Sequence, residues 1–192
     1  MIINHYGGDY IKIQAGDLTV LIDPENQRSY NGATLVLNTV RPALTEAPVE
    51  TPPFWIDHQG EYEVRGIRVE GEKLDGSGGE EKEKTAYRMD FDEIRFGILG
   101  HLTQDTDPKI QEFLKDCDVL IIPGGEKPFI GAAAAAKLIR QLEPSIIIPS
   151  FSKNPKPFLK EMGQEKAAPE EKLVFKKKDL TPKTMAVKCL TF

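Results

Sequence analysis

Hydrophobic residues along this chain fall in short runs, separated by polar and glycine-rich segments. Residues 96–100, 118–122 and 145–149 form three apolar runs, and the latter two each follow a segment with helical spacing of apolar residues. Strands that are apolar at nearly every position are buried on both faces, so they belong inside a sheet that helices cover. This region therefore predicts an α/β architecture.

The two intervening helices have recognisable starts. Asp107 is a favourable N-cap residue, and Pro108 suits the first helical position because its missing N–H needs no partner there. Five consecutive alanines at 132–136 give the second segment high intrinsic helix propensity and let it lie close to a sheet.

The other hydrophobic runs are typical of strands. Strands are predicted at 1–5, 9–14, 18–22, 33–37, 54–56, 66–69, 87–91, 94–99, 173–175 and 185–190, with a third helix near 157–162. Four prolines make residues 42–53 a rigid connector. Four glycines and mixed charges make 71–84 a mobile surface loop. We place His58 and Glu61 in a turn, where no catalytic role is expected.

Composition is that of a globular protein. A length of 192 residues, 40% of them hydrophobic, fits one domain spanning 1–192. No window approaches the roughly 18 apolar residues of a membrane span, and the first residues lack the features of a secretion signal. A cytoplasmic location is therefore the expectation. Cys117 and Cys189 form no metal or redox motif and are expected to be reduced, buried thiols.

Charge is distributed unevenly along the chain. Residues 1–152 carry a net charge of −10, whereas the Lys/Pro-rich segment 153–192 carries +5. This segment is either a solvated rim or a surface for an acidic partner. It contains no arginine and no series of aromatic residues on which bases could stack. Nucleic-acid binding through it is therefore not expected.

Candidate site residues follow the predicted strands, because open α/β sheets place their sites beyond strand ends. They are Asp23, Asn38, Thr39, His101, Gly124, Gly125 and Ser150, together with His5 at the end of the first strand. Each has a structural alternative. Asp23 can order the backbone N–H groups of a neighbouring loop, and His101 can hydrogen-bond to a loop. The two glycines can either cradle an anion or form a tight exit before the next helix.

Taken in order, these segments resemble the metallo-β-lactamase fold, and within it the small hydrolases similar to ascorbate-6-phosphate lactonase. The matching pieces are LIDP at 21–24, TLVL at 34–37, GEYEV at 60–64, GILG at 97–100, DVLIIPGG at 118–125, the alanine-rich helix and the strand before Ser150. The resemblance covers residues 2–151. It implies a four-layer αββα sandwich, with two mixed sheets and helices on the outer faces.

The same resemblance implies a zinc site, which this sequence does not reproduce. Where the family carries H-x-H-x-D-H, the chain reads VRPALT at 40–45, and none of these side chains is a zinc ligand. The family's bridging aspartate is replaced by His101, and its last histidine falls within SFS at 150–152. Only three histidines, His5, His58 and His101, occur in the chain.

We therefore hypothesise a metallo-β-lactamase-fold protein with a degenerate metal site that acts as a binding or assembly module without a cofactor. Its partner would be a protein or a small molecule, with self-association left open and no membrane involved. The alternative is a hydrolase with a remodelled site around His101 and Asp23. In that case His5 would join them to hold a single zinc ion, or Ser150 would contribute to catalysis.

Overall fold

The computed structural model describes residues 1–26, 30–46, 53–74, 82–104 and 108–192. Its regular elements are β1 (Ile2–His5), β2 (Ile11–Ala15), β3 (Leu18–Ile22), β4 (Leu35–Leu37), β5 (Val40–Arg41), β6 (Phe54–Ile56), β7 (Gly60–Val64), β8 (Ile67–Leu74), β9 (Glu83–Phe91), β10 (Ile94–Ile98), α1 (Pro108–Phe113), β11 (Val119–Pro123), α2 (Ala132–Leu142), β12 (Ile146–Ser150), α3 (Lys156–Glu161), β13 (Leu173–Val174) and β14 (Ala186–Val187). Among these described elements, no helix has the length and apolar character needed to cross a membrane.

The strands form two sheets. The first has the order β13-β1-β2-β3-β4-β6, and the second has the order β14-β12-β11-β10-β9-β8-β7 with β5 paired to β9. Hairpins make β1 to β3 and β7 to β10 antiparallel, whereas crossover connections make β3-β4-β6 and β10-β11-β12-β14 parallel. Both sheets are therefore mixed, as expected.

The main core lies between the two sheets. Alternate residues of most strands face it, for example Val20 and Ile22 of β3 and Val119 and Ile121 of β11. The opposite residues of β11 and β12 pack under the three helices, whose buried apolar side chains cover the outer face of the second sheet.

The outer face of the first sheet is covered differently. There the described residues place an aromatic cluster, in which Tyr10, Tyr30 and Trp55 lie over Leu21 and Val36. The Tyr30 and Trp55 rings meet edge to face with centroids 6.1 Å apart. Aromatic side chains bury 150–250 Å² each. In the described residues, this cluster rather than a helix forms the fourth layer of the sandwich.

The segment after α3 supplies an edge strand to each sheet, because β13 pairs with β1 and β14 pairs with β12. Its lysines form ion pairs with the acidic body of the molecule. Lys177 Nζ lies 2.6 Å from Asp118 Oδ2, and Lys183 Nζ lies 2.5 Å from Glu143 Oε2. Part of the positive charge of 153–192 is therefore matched by the rest of the chain.

Two local predictions need correction. The arms of the β8–β9 hairpin extend into the predicted loop 71–84, as far as Leu74 and back from Glu83, because cross-strand pairing continues there. Residues 75–81 lie outside the described part of the chain. Glu61 lies on β7, paired with Glu70 of β8, and not in a turn. Pro108 begins α1 as predicted, whereas Asp107 is not described.

Candidate functional site

Polar side chains from both sheets meet at one end of the sandwich. Asp23 follows β3, Thr39 follows β4, His101 follows β10 and Ser150 ends β12, while Asp9 precedes β2. Asp9, Thr39 and Ser150 are fully buried, and Asp23 is 1% exposed. We call these five residues the polar cluster.

Asp23 is held by Thr39. The Thr39 backbone N–H donates to Asp23 Oδ1 at 2.7 Å, and the Thr39 hydroxyl donates to Asp23 Oδ2 at 2.5 Å. Asp23 itself has a φ of 41°, a conformation that Asp tolerates better than most residues. The carboxylate thus orders the loop after β4 and uses both oxygens to do so.

His101 completes this network through its Nδ1 atom, which lies 2.7 Å from Thr39 Oγ1 and 3.6 Å from Asp23 Oδ2. The Thr39 hydroxyl has one hydrogen, which goes to the Asp23 carboxylate. His101 Nδ1 must then carry a proton and donate to Thr39 Oγ1, so that a neutral His101 ring keeps its lone pair on Nε2.

Asp9 is the member of the cluster that the sequence analysis did not single out. Within the described chain, neither of its carboxyl oxygens has a hydrogen-bond partner, and the same is true of Ser150 Oγ. Burial and the neighbouring Asp23 carboxylate raise the pKa of Asp9 well above its usual range, although the nearby Ser150 hydroxyl opposes this. The environment of Asp9 therefore favours the protonated form more than an exposed carboxyl group would.

Gly100 closes the cluster from the side of β10. A Cβ atom at this position would overlap Asp9 Oδ2 and Thr39 Oγ1, and would lie 2.7 Å from Asp23 Oδ2. Gly100 is therefore required by the close approach of three side chains.

The remaining predicted site residues lie outside the polar cluster, where they hydrogen-bond to backbone carbonyl groups or permit close packing. His5 Nδ1 and Nε2 lie 3.3 Å from Leu190 O and 3.1 Å from Gly8 O, so Asp9 and not His5 joins Asp23 and His101. Asn38 Nδ2 donates to Ile56 O at 3.4 Å. A Cβ at Gly124 would lie 2.6 Å from Ser152 Cβ, and one at Gly125 would lie 2.8 Å from Ala132 N. Both glycines thus permit close packing, Gly125 at the start of α2.

An aromatic pair packs against His101 of the polar cluster. The Phe129 and Phe151 rings stack with centroids 3.9 Å apart, and the His101 ring meets both edge to face. Phe151 adopts a φ of 46°, which is unusual for an aromatic residue, and its N–H donates to Gly8 O at 2.7 Å.

Phe129 of this pair lines two cavities. The first, which we call the His101 cleft, has a volume of about 480 Å³; its lining residues are Val40, Lys82, Lys84, His101, Thr103, Pro128 and Phe129. The second, which we call the aromatic cavity, has a volume of about 450 Å³. Both volumes are in the range of small-molecule sites. Lys84 was also missed by the sequence analysis, which placed this residue at the end of the predicted surface loop 71–84.

Comparison with known proteins identifies the superfamily. A sequence model of the beta-lactamase superfamily domain matches residues 3–150. The chain belongs to the metallo-β-lactamase superfamily. A comparison with curated proteins gave no match. The more specific similarity to ascorbate-6-phosphate lactonase stays a prediction.

Several solved structures have the same fold. A candidate zinc-dependent hydrolase of Thermotoga maritima is 20% identical, with a TM-score of 0.74 over 98% of this chain and 97% of that one. An isothiocyanate hydrolase from Delia radicum gut bacteria is 14% identical, with a TM-score of 0.67 over 92% and 100% of the two chains. A candidate metal-dependent hydrolase of Veillonella parvula is also 14% identical, with a TM-score of 0.67 over 91% and 99%. At these identities the likeness establishes the fold.

Asp9, Asp23 and His101 are the candidate metal ligands of this site. Among the described residues, Asp9, Asp23 and His101 form the one group of three or more His, Cys, Asp or Glu side chains whose donor atoms all lie within 4.8 Å of one another. Three donors do not fit a zinc pair, which needs more ligands. They fit one ion in number, but Asp23 and His101 Nδ1 are already hydrogen-bonded to Thr39.

Proposed function

We propose that this chain is a binding protein with the metallo-β-lactamase fold, and that it takes a small anionic molecule into the His101 cleft without hydrolysing it. The observation that carries this proposal is the convergence of Lys82, Lys84 and His101 on one cavity. No cofactor is part of it. A protein partner on segment 153–192 remains a separate prediction.

The charge and shape of the cleft favour an anion with an apolar group. Lys84 is 7% exposed, and its Nζ donates to Thr103 Oγ1 at 3.1 Å. A cation at such a depth attracts an anion more strongly than one in bulk water, because the local dielectric is lower. Val40, Pro128 and Phe129 supply an apolar wall. A carboxylate or a phosphate monoester with an aromatic or aliphatic substituent matches this combination.

The polar cluster below the cleft supports binding over hydrolysis. A hydrolytic water needs a base or a metal ion with an open position. Asp23 uses both carboxylate oxygens on Thr39, and Asp9 is fully buried beside it.

Calorimetric titration with phenyl phosphate tests the proposal, with benzyl alcohol as the uncharged control ligand. We expect saturable binding of phenyl phosphate only, weakened by added salt. Lys84→Met keeps the aliphatic stem and removes the charge, so affinity should fall about tenfold. Lys172→Gln, an exposed lysine that does not line the cleft, should leave affinity unchanged.

Two outcomes would overturn the proposal. Equal affinity of the parent protein and a folded Lys84→Met variant would place the ligand elsewhere. Release of phenol or inorganic phosphate, with or without added zinc, would show that the protein is a hydrolase.

A single-metal hydrolase is a second candidate function, favoured by the unpartnered oxygens of Asp9 within the described chain. Asp9, Asp23 and His101 would hold the ion, with His101 Nδ1 giving up its bond to Thr39. A bound ion of this kind supplies a nucleophile at neutral pH by lowering the pKa of a water ligand. The Ser150 hydroxyl would remain beside Asp9.

Metal content separates the two functions. The measurement uses protein purified without tag histidines or chelator, followed by titration with zinc. Near-stoichiometric zinc that is lost in His101→Ala and in Asp9→Asn would favour the metal site. A zinc content near zero, with no change in melting temperature on adding zinc, would leave the binding protein.

A further inference from the structure

The aromatic cavity shares only Phe129 with the lining of the His101 cleft, and the function proposed above does not use it. Four aromatic residues line it, from separate parts of the chain: Tyr6, Phe129, Phe151 and Phe192. The stacked pair forms one wall, and Tyr6 and Phe192 contribute further rings.

Phe192 is held at this cavity although most of its surface is exposed. Its ring meets the His5 imidazole edge to face, with centroids 5.1 Å apart, and packs over Gly7, where a Cβ would lie 3.3 Å from the ring. Yet 66% of Phe192 is exposed. A large aromatic side chain that is positioned by its neighbours and still exposed beside a cavity is a surface that a ligand can cover.

Two carboxylate groups line the same cavity as these rings. Glu126 Oε1 accepts the Asn154 N–H at 3.0 Å, which fixes the carboxylate at the wall. The Glu25 carboxylate packs over Gly8, since a Cβ there would overlap Glu25 Oε1. Lys127 and Lys153 also line the cavity but are exposed, and their long side chains can keep the ammonium groups in water.

Aromatic faces combined with carboxylates recognise cations. The negative face of an aromatic ring attracts an ammonium group within about 6 Å, and the attraction grows when water is excluded. A carboxylate adds a charge that aromatic rings lack. Apolar substituents on the nitrogen gain further by covering ring surface.

We propose that the aromatic cavity binds a small organic cation, an amine or quaternary ammonium compound with apolar substituents. The nitrogen lies against the rings of the Phe129–Phe151 pair and Phe192, and Glu25 and Glu126 balance its charge. Apart from Phe129, its lining residues differ from those of the His101 cleft, and its charged groups are different ones.

Choline and its uncharged isostere 3,3-dimethyl-1-butanol test the proposal, because the two differ in charge and hardly in shape. Binding is followed by ¹H–¹⁵N NMR titration, which detects weak complexes. We expect choline to shift the amide signals of Gly7, Gly8 and Ser152 in a saturable way, with the isostere at least about tenfold weaker. Phe192→Ala should weaken choline binding about five- to tenfold.

Matched variants separate charge from structure. Glu126→Gln keeps the acceptor for Asn154 N–H and removes the charge, so it should weaken choline binding several-fold while the spectrum stays that of a folded protein. Lys153→Gln should leave binding unchanged or strengthen it. Lys84→Met should have no effect on choline, which distinguishes this site from the His101 cleft.

Three results would overturn the proposal. These are equal binding of choline and its isostere, the absence of saturable shifts at Gly7 and Gly8, and an unchanged choline affinity in the Phe192→Ala variant. Since Phe192 is mostly exposed, its substitution is expected to leave the fold intact, and the same spectra verify this.

Discussion

The polar cluster and the His101 cleft share His101 but differ in almost every other property. In the cluster, carboxyl and hydroxyl groups are packed with 1% exposure or less, and Asp23, Thr39 and His101 bond to one another. In the cleft, two lysines and a histidine face a cavity of about 480 Å³. The side chains of the polar cluster are fixed by hydrogen bonds to one another, whereas those of the cleft face a space that a ligand can enter.

This difference suggests how the superfamily scaffold is used here. The metallo-β-lactamase fold brings the ends of both sheets together whatever residues occupy them, and the fold itself does not determine the chemistry. In this chain, groups at those ends hold one another in place, and the space next to them stays open. Substitutions in the cluster should therefore change stability, and substitutions in the cleft should change binding.

Gly100→Ala should have the largest effect on the cluster. The added methyl group would overlap Asp9 and Thr39, whose buried side chains have no free space to enter. We expect a loss of about 2–4 kcal/mol in the free energy of unfolding. Thermal unfolding should show a decrease in melting temperature of about 5–15 °C.

Gly131→Ala is the matched control, because a Cβ at Gly131 would meet no atom within 4 Å. Adding Asp9→Ala to Gly100→Ala should recover part of the lost stability, since it removes one overlapping carboxyl group. A Gly100→Ala variant as stable as the parent would show that the cluster is loosely packed, and the contrast with the cleft would fail.

Asp9→Asn should change the melting temperature less than Gly100→Ala does, and should raise it instead of lowering it. A carboxyl group with a raised pKa binds its proton in the folded state and loses it more readily in the unfolded state. Its contribution to stability therefore falls as pH rises from about 4, the usual carboxyl pKa, towards the folded-state pKa. Asparagine removes this loss, so the variant should unfold several degrees higher than the parent at pH 7, and the difference should shrink towards pH 4.

Asp90→Asn provides the opposite pH dependence. Hydrogen bonding to Arg95 lowers the pKa of Asp90, so its stabilising contribution is present at neutral pH and is lost as pH falls. If Asp9→Asn instead unfolds at a lower temperature than the parent at pH 7, Asp9 is ionised in the native protein, as a metal ligand would be.

Lys82→Gln should have the smallest effect on stability. Lys82 is exposed at the cleft, and substitutions of this kind usually change the free energy of unfolding by less than about 0.5 kcal/mol. Phenyl phosphate affinity should nevertheless fall about two- to fivefold. If the melting temperature changes strongly while affinity does not, the proposed division between the two regions is wrong.

Much of the fold could be predicted from local patterns. The apolar runs of β10, β11 and β12 and the alanine-rich α2 are confirmed with small shifts in their limits, because each signal lies within one segment. The matched order of segments also indicated the superfamily, which the family match confirms.

The site was only partly predictable, because its contacts join distant segments. Asp23 and His101 followed recognisable strands, but nothing next to Asp9 in sequence indicated that its carboxyl group would be buried against Asp23. Similarly, Lys84 was assigned to the predicted loop 71–84, and nothing in that segment indicated that its side chain would face a cavity. Such partners depend on how the two sheets pack together, which no local pattern records.

The pairing of β1 with β13 has a consequence for how the protein is made. Ile2 pairs with Val174, so β1 has no neighbour on that side until more than 170 further residues have been translated. Contacts of such long sequence separation slow folding, and an unpaired strand edge is prone to association with other chains. The first sheet is therefore expected to be completed late, and chaperones that shield the β1 edge during synthesis should improve its yield.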